Sequence, residues 1–145
     1  MALSLSLLDQ NIIYEGETAQ STLKKTVAFA QRAEALGYDS FVVAEHHFTK
    51  EIASAAPEIL VGYILAKTDK IRVGSGGVML QHYVPYKVAE SFSLLHQLAP
   101  GRVILGLGKA QGGKDEAVEV LQRDFIKPVQ SFNDKFSEVT RFSRN

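Results

Sequence analysis

The sequence predicts an α/β fold in which four parallel strands alternate with helices. Short apolar runs rich in β-branched residues recur four times, and each is followed by a segment with the apolar spacing of a helix. The connections after the runs are long, whereas those that lead back into the next run are short. Strands that alternate with helices in this way form a parallel sheet with right-handed crossovers.

The four predicted strands are short and strongly apolar. They cover residues 3–8, 40–44, 71–74 and 103–107. The second run is typical, because Phe41, Val42 and Val43 carry the aromatic and β-branched side chains that favour strands.

The first predicted helix covers residues 18–36, where apolar side chains recur with helical spacing. The stripe consists of Leu23, Val27, Ala30 and Ala33. Gly37 follows it, and glycine is the residue that most often ends a helix.

Prolines predict the starts of the later helices, because proline suits a first helical turn. Pro57 begins a helix that runs to about residue 67, and Pro85 begins the third helix. A short helical piece is predicted over residues 115–123. Pro128 begins the last helix, with apolar side chains at Val129, Phe132, Phe136 and Val139.

The two ends of the predicted sheet differ in loop length. The helix-to-strand turns are short, at residues 37–39, 68–70 and 99–101. The strand-to-helix loops are long, at residues 9–17, 45–56, 75–84 and 108–114. Loops after the strands carry the functional residues in parallel α/β folds, so this end is the predicted active face. A flavodoxin-like open sheet with the same loops fits the pattern equally well.

The composition fits one globular domain over residues 1–145, with 46% hydrophobic residues. Basic and acidic residues balance at 16 each, which argues against nucleic-acid or membrane-surface partners. The chain has no cysteine, so disulfides and cysteine-ligated metals are excluded. The N-terminus lacks the basic segment of a secretion signal and no apolar run is long enough to span a membrane, so we expect a cytoplasmic protein.

The loop after the second strand opens with Glu45, His46, His47 and Phe48. Adjacent side chains on extended backbone point in opposite directions, so one histidine is expected to face the active end. A histidine there can move protons near neutral pH, and Glu45 could orient it or a bound ring. A histidine that caps a helix or is satisfied within the core is the equally weighted alternative.

Two glycine-rich segments follow the third and fourth strands. Residues 74–80 hold three glycines within four residues, which permits close approach of the backbone to a flat ligand. On spacing alone, a strand bulge without a ligand is the favoured interpretation. Residues 106–114 combine glycines with Lys109 and Lys114, a pattern that favours a phosphate site over a solvated loop. A metal site using His82 as a third imidazole would need ligand spacing that the sequence lacks, so no metal is predicted.

Four segments together resemble the bacterial luciferase-like monooxygenase family, in family order and spacing across nearly the whole chain. They are AEHHF at 44–48, IRVGSGGVML at 71–80, P-x-x-V-A-E at 85–90 and GRVILGLGK at 101–109. The resemblance implies the (β/α)4 half of a TIM-type (β/α)8 barrel. It further implies reduced FMN, or the deazaflavin F420 in some branches, as cofactor, and oxidation of an aldehyde or another small organic substrate with O2.

The resemblance also implies roles for individual residues. His46 matches the catalytic histidine, which acts as a general base or assists the oxygenated flavin, and Glu45 lies near the isoalloxazine ring. Ser75, Gly76 and Gly77 match the cofactor-binding strand end, where the family often has a non-prolyl cis peptide under the flavin. Lys109 matches a position where an arginine often meets the flavin phosphate; lysine keeps the charge without the bidentate geometry.

The predicted four strands leave two sheet edges bare, which a second copy or another part of a longer protein would have to cover. The leading hypothesis is a flavin monooxygenase half-barrel that is active when paired, with a homodimer as one form. The alternative is a catalytically inactive relative that acts as a flavin-binding or structural subunit. The resemblance implies an interface on the second and third helices, which here carry the apolar residues Ile59, Leu60, Tyr63, Ile64, Phe92 and Leu95. Packing of helix on sheet in the core is the favoured use for most of them. A metal-assisted hydrolase is a third, weaker possibility.

Overall fold

The computed structural model describes residues 3–123 and 130–143, which form one four-stranded parallel sheet with helices packed on it. The strands lie in sequence order across the sheet. They are β1 (Ser6–Asp9), β2 (Ser40–Val43), β3 (Arg72–Met79) and β4 (Val103–Gly108). The helices are α1 (Ala19–Ala35), α2 (Pro57–Leu65), α3 (Pro85–Leu98), α4 (Asp115–Gln122) and α5 (Phe132–Phe142), with a short 3₁₀ helix at Leu80–His82. The predicted alternation of strands and helices is confirmed.

Helix α1 begins and ends where the sequence predicts. Thr18 caps it by accepting from the Ser21 amide, while the Ser21 hydroxyl accepts from the Thr18 amide. This reciprocal pair satisfies two amides that a helix start otherwise leaves free. Gly37 follows the helix with a φ of 79°, a left-handed conformation in which glycine has no steric cost.

Helices α2 and α3 begin at Pro57 and Pro85, as predicted. Their inner faces pack with the outer face of the sheet, where Phe41 and Val73 are completely buried. Val61, Ile64 and Phe92 complete the centre of this core. The hydrophobic core therefore lies between the helices and one face of the sheet.

The other face of the sheet is open in this chain. Strand pairing aligns Leu8, Val42, Gly74 and Ile104 in one row across the four strands. Their neighbours Leu7 and Phe41 pack in the core, so this row points to the opposite side. Leu8 is 51% exposed. In a complete barrel this inner face would line the barrel interior.

Strand β3 differs from its prediction. It was expected to end at residue 74, but it continues to Met79, so Ser75, Gly76 and Gly77 lie in the strand and not in a loop. Glycine allows the neighbouring strand to come very close: a Cβ on Gly74 would lie 2.0 Å from the Ile104 carbonyl oxygen. A register shift between Ser75 and Val78 accommodates the extra residues. The prediction ended the strand too early because glycine has a low strand propensity. Backbone pairing with β4 outweighs this propensity in the structure.

Two smaller boundaries also differ. Strand β1 begins at Ser6, three residues later than predicted. The predicted helix start at Pro128 lies outside the described residues, and the described helix α5 is capped by Ser131.

Glu34 and Arg102 stabilise the end of the sheet that lies opposite the predicted active face. One carboxylate oxygen of Glu34 accepts from three successive amides, those of residues 69, 70 and 71, at 2.9, 2.6 and 2.9 Å. Arg102 donates to the carbonyls of Leu65 and Ile71 and to the Thr68 hydroxyl. Both side chains bind the turn between α2 and β3, so their role is structural.

Candidate active site

The loops after the strands contact one another through backbone hydrogen bonds. The Ile13 amide donates to the Glu51 carbonyl at 2.7 Å, and the Ala53 amide to the Asn11 carbonyl at 2.9 Å. On the other side, the His47 amide donates to the Gly112 carbonyl at 2.6 Å. The loops after β1, β2 and β4 therefore form one continuous rim at the carboxyl end of the sheet.

Glu45 lies at the centre of this rim and is completely buried. Its Oε1 accepts from His47 Nε2 at 2.6 Å and from the Tyr83 hydroxyl at 2.8 Å. Its Oε2 accepts from the Met79 amide at 3.0 Å. Three donors make this burial of a carboxylate energetically tolerable. Burial and the charge of Glu45 raise the pKa of Tyr83, so Tyr83 keeps its proton and stays a donor.

His46 points differently from Glu45 and His47. It is only half-buried, and its amide donates to the Ser54 carbonyl at 3.2 Å. Its ring atom Nδ1 is buried and has no hydrogen-bond partner among the described residues. Buried ring nitrogens are normally satisfied, so an unsatisfied one at a strand end is a candidate contact for a ligand or water.

His47 and His82 form a second pair beside Glu45. Their rings meet edge to face, with centroids 5.5 Å apart. His82 is buried between Gln111, on the loop after β4, and Gln122, on α4. Its Nε2 bonds the Gln111 carbonyl, and its Nδ1 lies 3.1 Å from the side-chain Nε2 of Gln122. This arrangement corresponds to the tautomer with the proton on Nε2, assigned from the hydrogen bonds.

Ser75 is buried and its hydroxyl is used inside the sheet. Its Oγ donates to the Gly106 carbonyl at 2.9 Å and accepts from the Gly106 amide at 3.1 Å. This pair of bonds joins β3 to β4 where their regular register is interrupted. Ser75 therefore supports the strand end from within.

Gly76 is exposed on the inner face of the sheet. The peptide bond between Gly76 and Gly77 is cis, as the resemblance implied for this position. A Cβ on Gly76 would lie 2.9 Å from Val42 Cγ2 and 3.1 Å from Leu8 Cδ1. The absence of a side chain thus leaves bare backbone beside two apolar side chains.

Lys109 and Lys114 are both exposed on the loop after β4. Gly112 gives this loop its turn, with a φ of 58°. Helix α4 follows with Asp115 and Glu116 in its first turn, so its N-terminus is already matched by carboxylates. An anion at this loop would therefore depend on the lysines and loop amides.

Three contributors to the rim were not predicted from the sequence: Asn11, Tyr83 and Lys135. Asn11 is completely buried with a φ of 57°, and its side chain donates to Thr26 Oγ1 at 2.8 Å. Lys135 is buried on α5 and its Nζ donates to the carbonyls of residues 80, 81 and 83, at 3.4, 3.0 and 2.9 Å. Its carbonyl acceptors lie more than fifty positions away in sequence, so no local sequence pattern could indicate that Lys135 is buried and bonded there.

Within residues 3–123 and 130–143, no group of three or more histidine or acidic side chains could hold a metal ion. The same residues include no helix of the length and apolarity needed to cross a membrane.

Comparison with known proteins identifies the family. The model of the luciferase-like monooxygenase family matches residues 3–141. N-acetyl-S-alkylcysteine monooxygenase of Bacillus subtilis (strain 168) is 57% identical over 141 residues, which are 97% of this chain and 42% of that protein. The chain belongs to the luciferase-like monooxygenase family, and the predicted resemblance is confirmed.

Solved structures agree on the fold. The crystal structure of apo-MsnO8 superposes with a TM-score of 0.86 at 42% identity, over 97% of this chain and 42% of that one. The oxygenating constituent of 3,6-diketocamphane monooxygenase from Pseudomonas putida, a type II Baeyer-Villiger monooxygenase in complex with FMN, superposes with a TM-score of 0.80 at 23% identity, over 98% and 38% of the two chains. The chain spans about two fifths of the length of these proteins. The predicted α/β half of a TIM-type barrel is confirmed.

Proposed function

We propose that this chain provides the catalytic-histidine half of a flavin-dependent monooxygenase that oxidises a small organic substrate with O2. The observation that carries the proposal is the common location of three features at the carboxyl end of the sheet. They are the unsatisfied ring nitrogen of His46, the exposed backbone of Gly76, and the loop with Lys109. Family membership supports the same reading.

The residues present fit a flat, phosphorylated cofactor. Bare backbone at Gly76, with the apolar side chains of Leu8 and Val42 beside it, suits one face of an isoalloxazine ring. The ammonium group of Lys109 suits the phosphate of FMN. FMN is our first choice, and F420 is the alternative that the binding experiments below should include.

Bound reduced flavin would supply two electrons, so that one oxygen atom of O2 enters the substrate and the other leaves as water. His46 is the residue that would accept or return a proton, because its ring is half-buried and its Nδ1 is free of partners in the described chain. Leu8, Val42 and Ile104 would give the inner face an apolar lining that excludes bulk water once this face is covered. Glu45 and Ser75, both buried, would hold this surface in shape.

The substrate we propose first is a thioether of the N-acetyl-S-alkylcysteine class, the compound named for the 57% identical relative. An aliphatic aldehyde is the second candidate, as expected from the family. Incubation with reduced FMN and isotopically labelled dioxygen tests both. We expect one labelled oxygen in the product for wild type and loss of labelling for His46→Gln; labelling that survives His46→Gln would contradict its role.

We further propose that the open inner face is covered by a second half-barrel when the site is active. Leu8 is half exposed and belongs to the same row as Val42 and Ile104. A second copy could place four more strands against the edges of β1 and β4, which would approach the eight strands of a closed barrel. Cross-linking of a cysteine pair introduced on the two edge strands would detect such pairing.

A second candidate function is an interaction subunit without catalysis. A groove of about 530 Å³ between α1 and α2 favours it, because most of its lining is apolar. Ile59 and Tyr63 line this groove and are 71% and 56% exposed. Ile59→Asp should abolish self-association if this surface binds another copy, whereas flavin bound to purified protein would count against a purely structural role.

A further inference from the structure

Glu45 connects the second and third strands of the sheet to a tyrosine that follows them. The His47 ring, the Tyr83 hydroxyl and the Met79 amide all donate to its carboxylate, at 2.6, 2.8 and 3.0 Å. Both carboxylate oxygens are occupied and the residue is 0% exposed. A bound ring could reach this carboxylate only after the network opened.

The same network continues into the glycine loop after β4. The His47 amide donates to the Gly112 carbonyl, and His47 and Gly113 form an isolated parallel bridge. A Cβ on Gly113 would lie 2.7 Å from the His47 carbonyl oxygen, so the two backbones are in close contact. The position of His47 therefore determines the position of the loop.

A second connection reaches the loop through His82. Its Nε2 bonds the carbonyl of Gln111, and its ring lies edge to face against His47. The loop residues 111–113 are thus bound on both sides by histidines, one of which is bound directly by Glu45.

We propose that Glu45 is a positioning residue, which holds the Lys109 loop in place through His47 and does not itself touch the flavin. This inference rests on the proposed function only in taking the FMN phosphate as the ligand of the Lys109 loop. The coupling between Glu45 and the loop does not depend on any ligand. This role differs from the sequence-based expectation that Glu45 lies near the isoalloxazine ring.

Glu45→Gln is the informative substitution. The glutamine oxygen can still accept two hydrogen bonds, but the amide nitrogen is a donor and would face another donor of the network. If its oxygen faces His47 and Tyr83, the Met79 amide loses its acceptor; if its oxygen faces Met79, His47 and Tyr83 must change from donors to acceptors. In either orientation the carboxylate charge that binds His47 is removed, while the side-chain shape is preserved. Tyr83→Phe is a second variant that removes one donor and leaves the carboxylate. Glu90→Gln, on the exposed side of α3, is the matched control.

Amide hydrogen exchange tests the coupling without any ligand. We expect Glu45→Gln and Tyr83→Phe to accelerate exchange about tenfold at the Met79 amide and at the His47 amide, which donates to the Gly112 carbonyl of the loop. A tenfold change corresponds to ~1.4 kcal/mol of local opening. Glu90→Gln should leave these amides unchanged. Acceleration confined to Met79, with no change at the His47 amide, would overturn the proposal.

Flavin titrations then separate positioning from direct contact. Riboflavin has the same ring as FMN but no phosphate, so a displaced Lys109 loop should weaken FMN about tenfold while riboflavin changes little. Glu45→Gln should add almost nothing in a Lys109→Gln background. Equal weakening of both flavins, additive with Lys109→Gln, would show that Glu45 touches the ring. If the wild type binds neither flavin, the proposed function fails, and the exchange experiment still decides the role of Glu45.

Discussion

The hydroxyl of Tyr83 donates a 2.8 Å hydrogen bond to the carboxylate of Glu45, which has no exposed surface. Hydrogen bonds to buried charges are stronger than neutral ones, and leaving such a charge with one donor fewer costs free energy. This contact joins the end of β2 to the segment after β3, so its loss should be felt in stability as well as in the site.

Tyr83→Phe should lower the free energy of unfolding by about 2 kcal/mol. Burial raises the pKa of Tyr83 in the folded chain, so this residue's contribution is complete below the ordinary tyrosine pKa of about 10 and decreases as the pH rises above it. Urea unfolding from pH 7 to 11 measures both effects. The exposed Tyr14→Phe is the control, and a Tyr83→Phe variant with wild-type stability at pH 7 would contradict the role of this hydrogen bond.

Glu34→Ala should destabilise the chain by about 1 kcal/mol near neutral pH, because three amides lose their acceptor at a partly exposed site. Burial alone would raise the pKa of Glu34, but the three amides and Arg102 outweigh it and lower the pKa. Its stabilisation is therefore present above the ordinary glutamate pKa of about 4.3 and is lost as the pH falls below it. The difference between the urea midpoints of wild type and variant should therefore be smaller at pH 3 than at pH 7; an unchanged difference would refute this assignment.

Lys135→Met should cost about 2 kcal/mol, because the carbonyls of residues 80, 81 and 83 lose a buried charged donor. The methionine retains most of the apolar stem, so the loss measures the ammonium group rather than packing. Thermal or urea unfolding is the measurement, with Lys24→Met as an exposed control. Equal effects of the two substitutions would indicate that the Lys135 ammonium contributes nothing specific.

Gly76→Ala should leave the fold intact and weaken FMN binding about tenfold. Its Cβ would press on the side chains of Val42 and Leu8, which border the open inner face and can adjust. Gly74→Ala is the contrasting variant, because its Cβ would lie 2.0 Å from a backbone oxygen and should prevent folding. Circular dichroism and fluorescence titration distinguish the two; unchanged FMN affinity in Gly76→Ala would remove this glycine from the proposed site.

Much of the fold follows from local patterns in the sequence. Helix α1 matches its prediction because a capping residue, an apolar stripe and Gly37 agree on its limits. Strand β3 was cut short because glycines such as Gly76 carry no strand signal, whereas strand pairing at this position depends on close backbone approach. Local propensity could not reveal a contact with β4, which lies some thirty residues away.

The candidate site was predicted less completely. The Glu45, His46 and His47 motif and the Lys109 loop were recognised, yet the buried state of Glu45 was not. It depends on Met79 at the end of β3 and on Tyr83 in the segment after it. Lys135 gave no signal either, since its partners are main-chain carbonyls that every residue possesses. Residue types indicate which chemistry is available, but burial and orientation are set by long-range packing.

The most direct test of the central claim is sedimentation velocity of the wild-type chain with FMN, followed at both the protein and the flavin absorbance bands. We expect flavin to sediment saturably with an assembly larger than one chain, and Lys109→Gln to reduce the bound fraction. A well-folded monomer that sediments without flavin at every FMN concentration would contradict it.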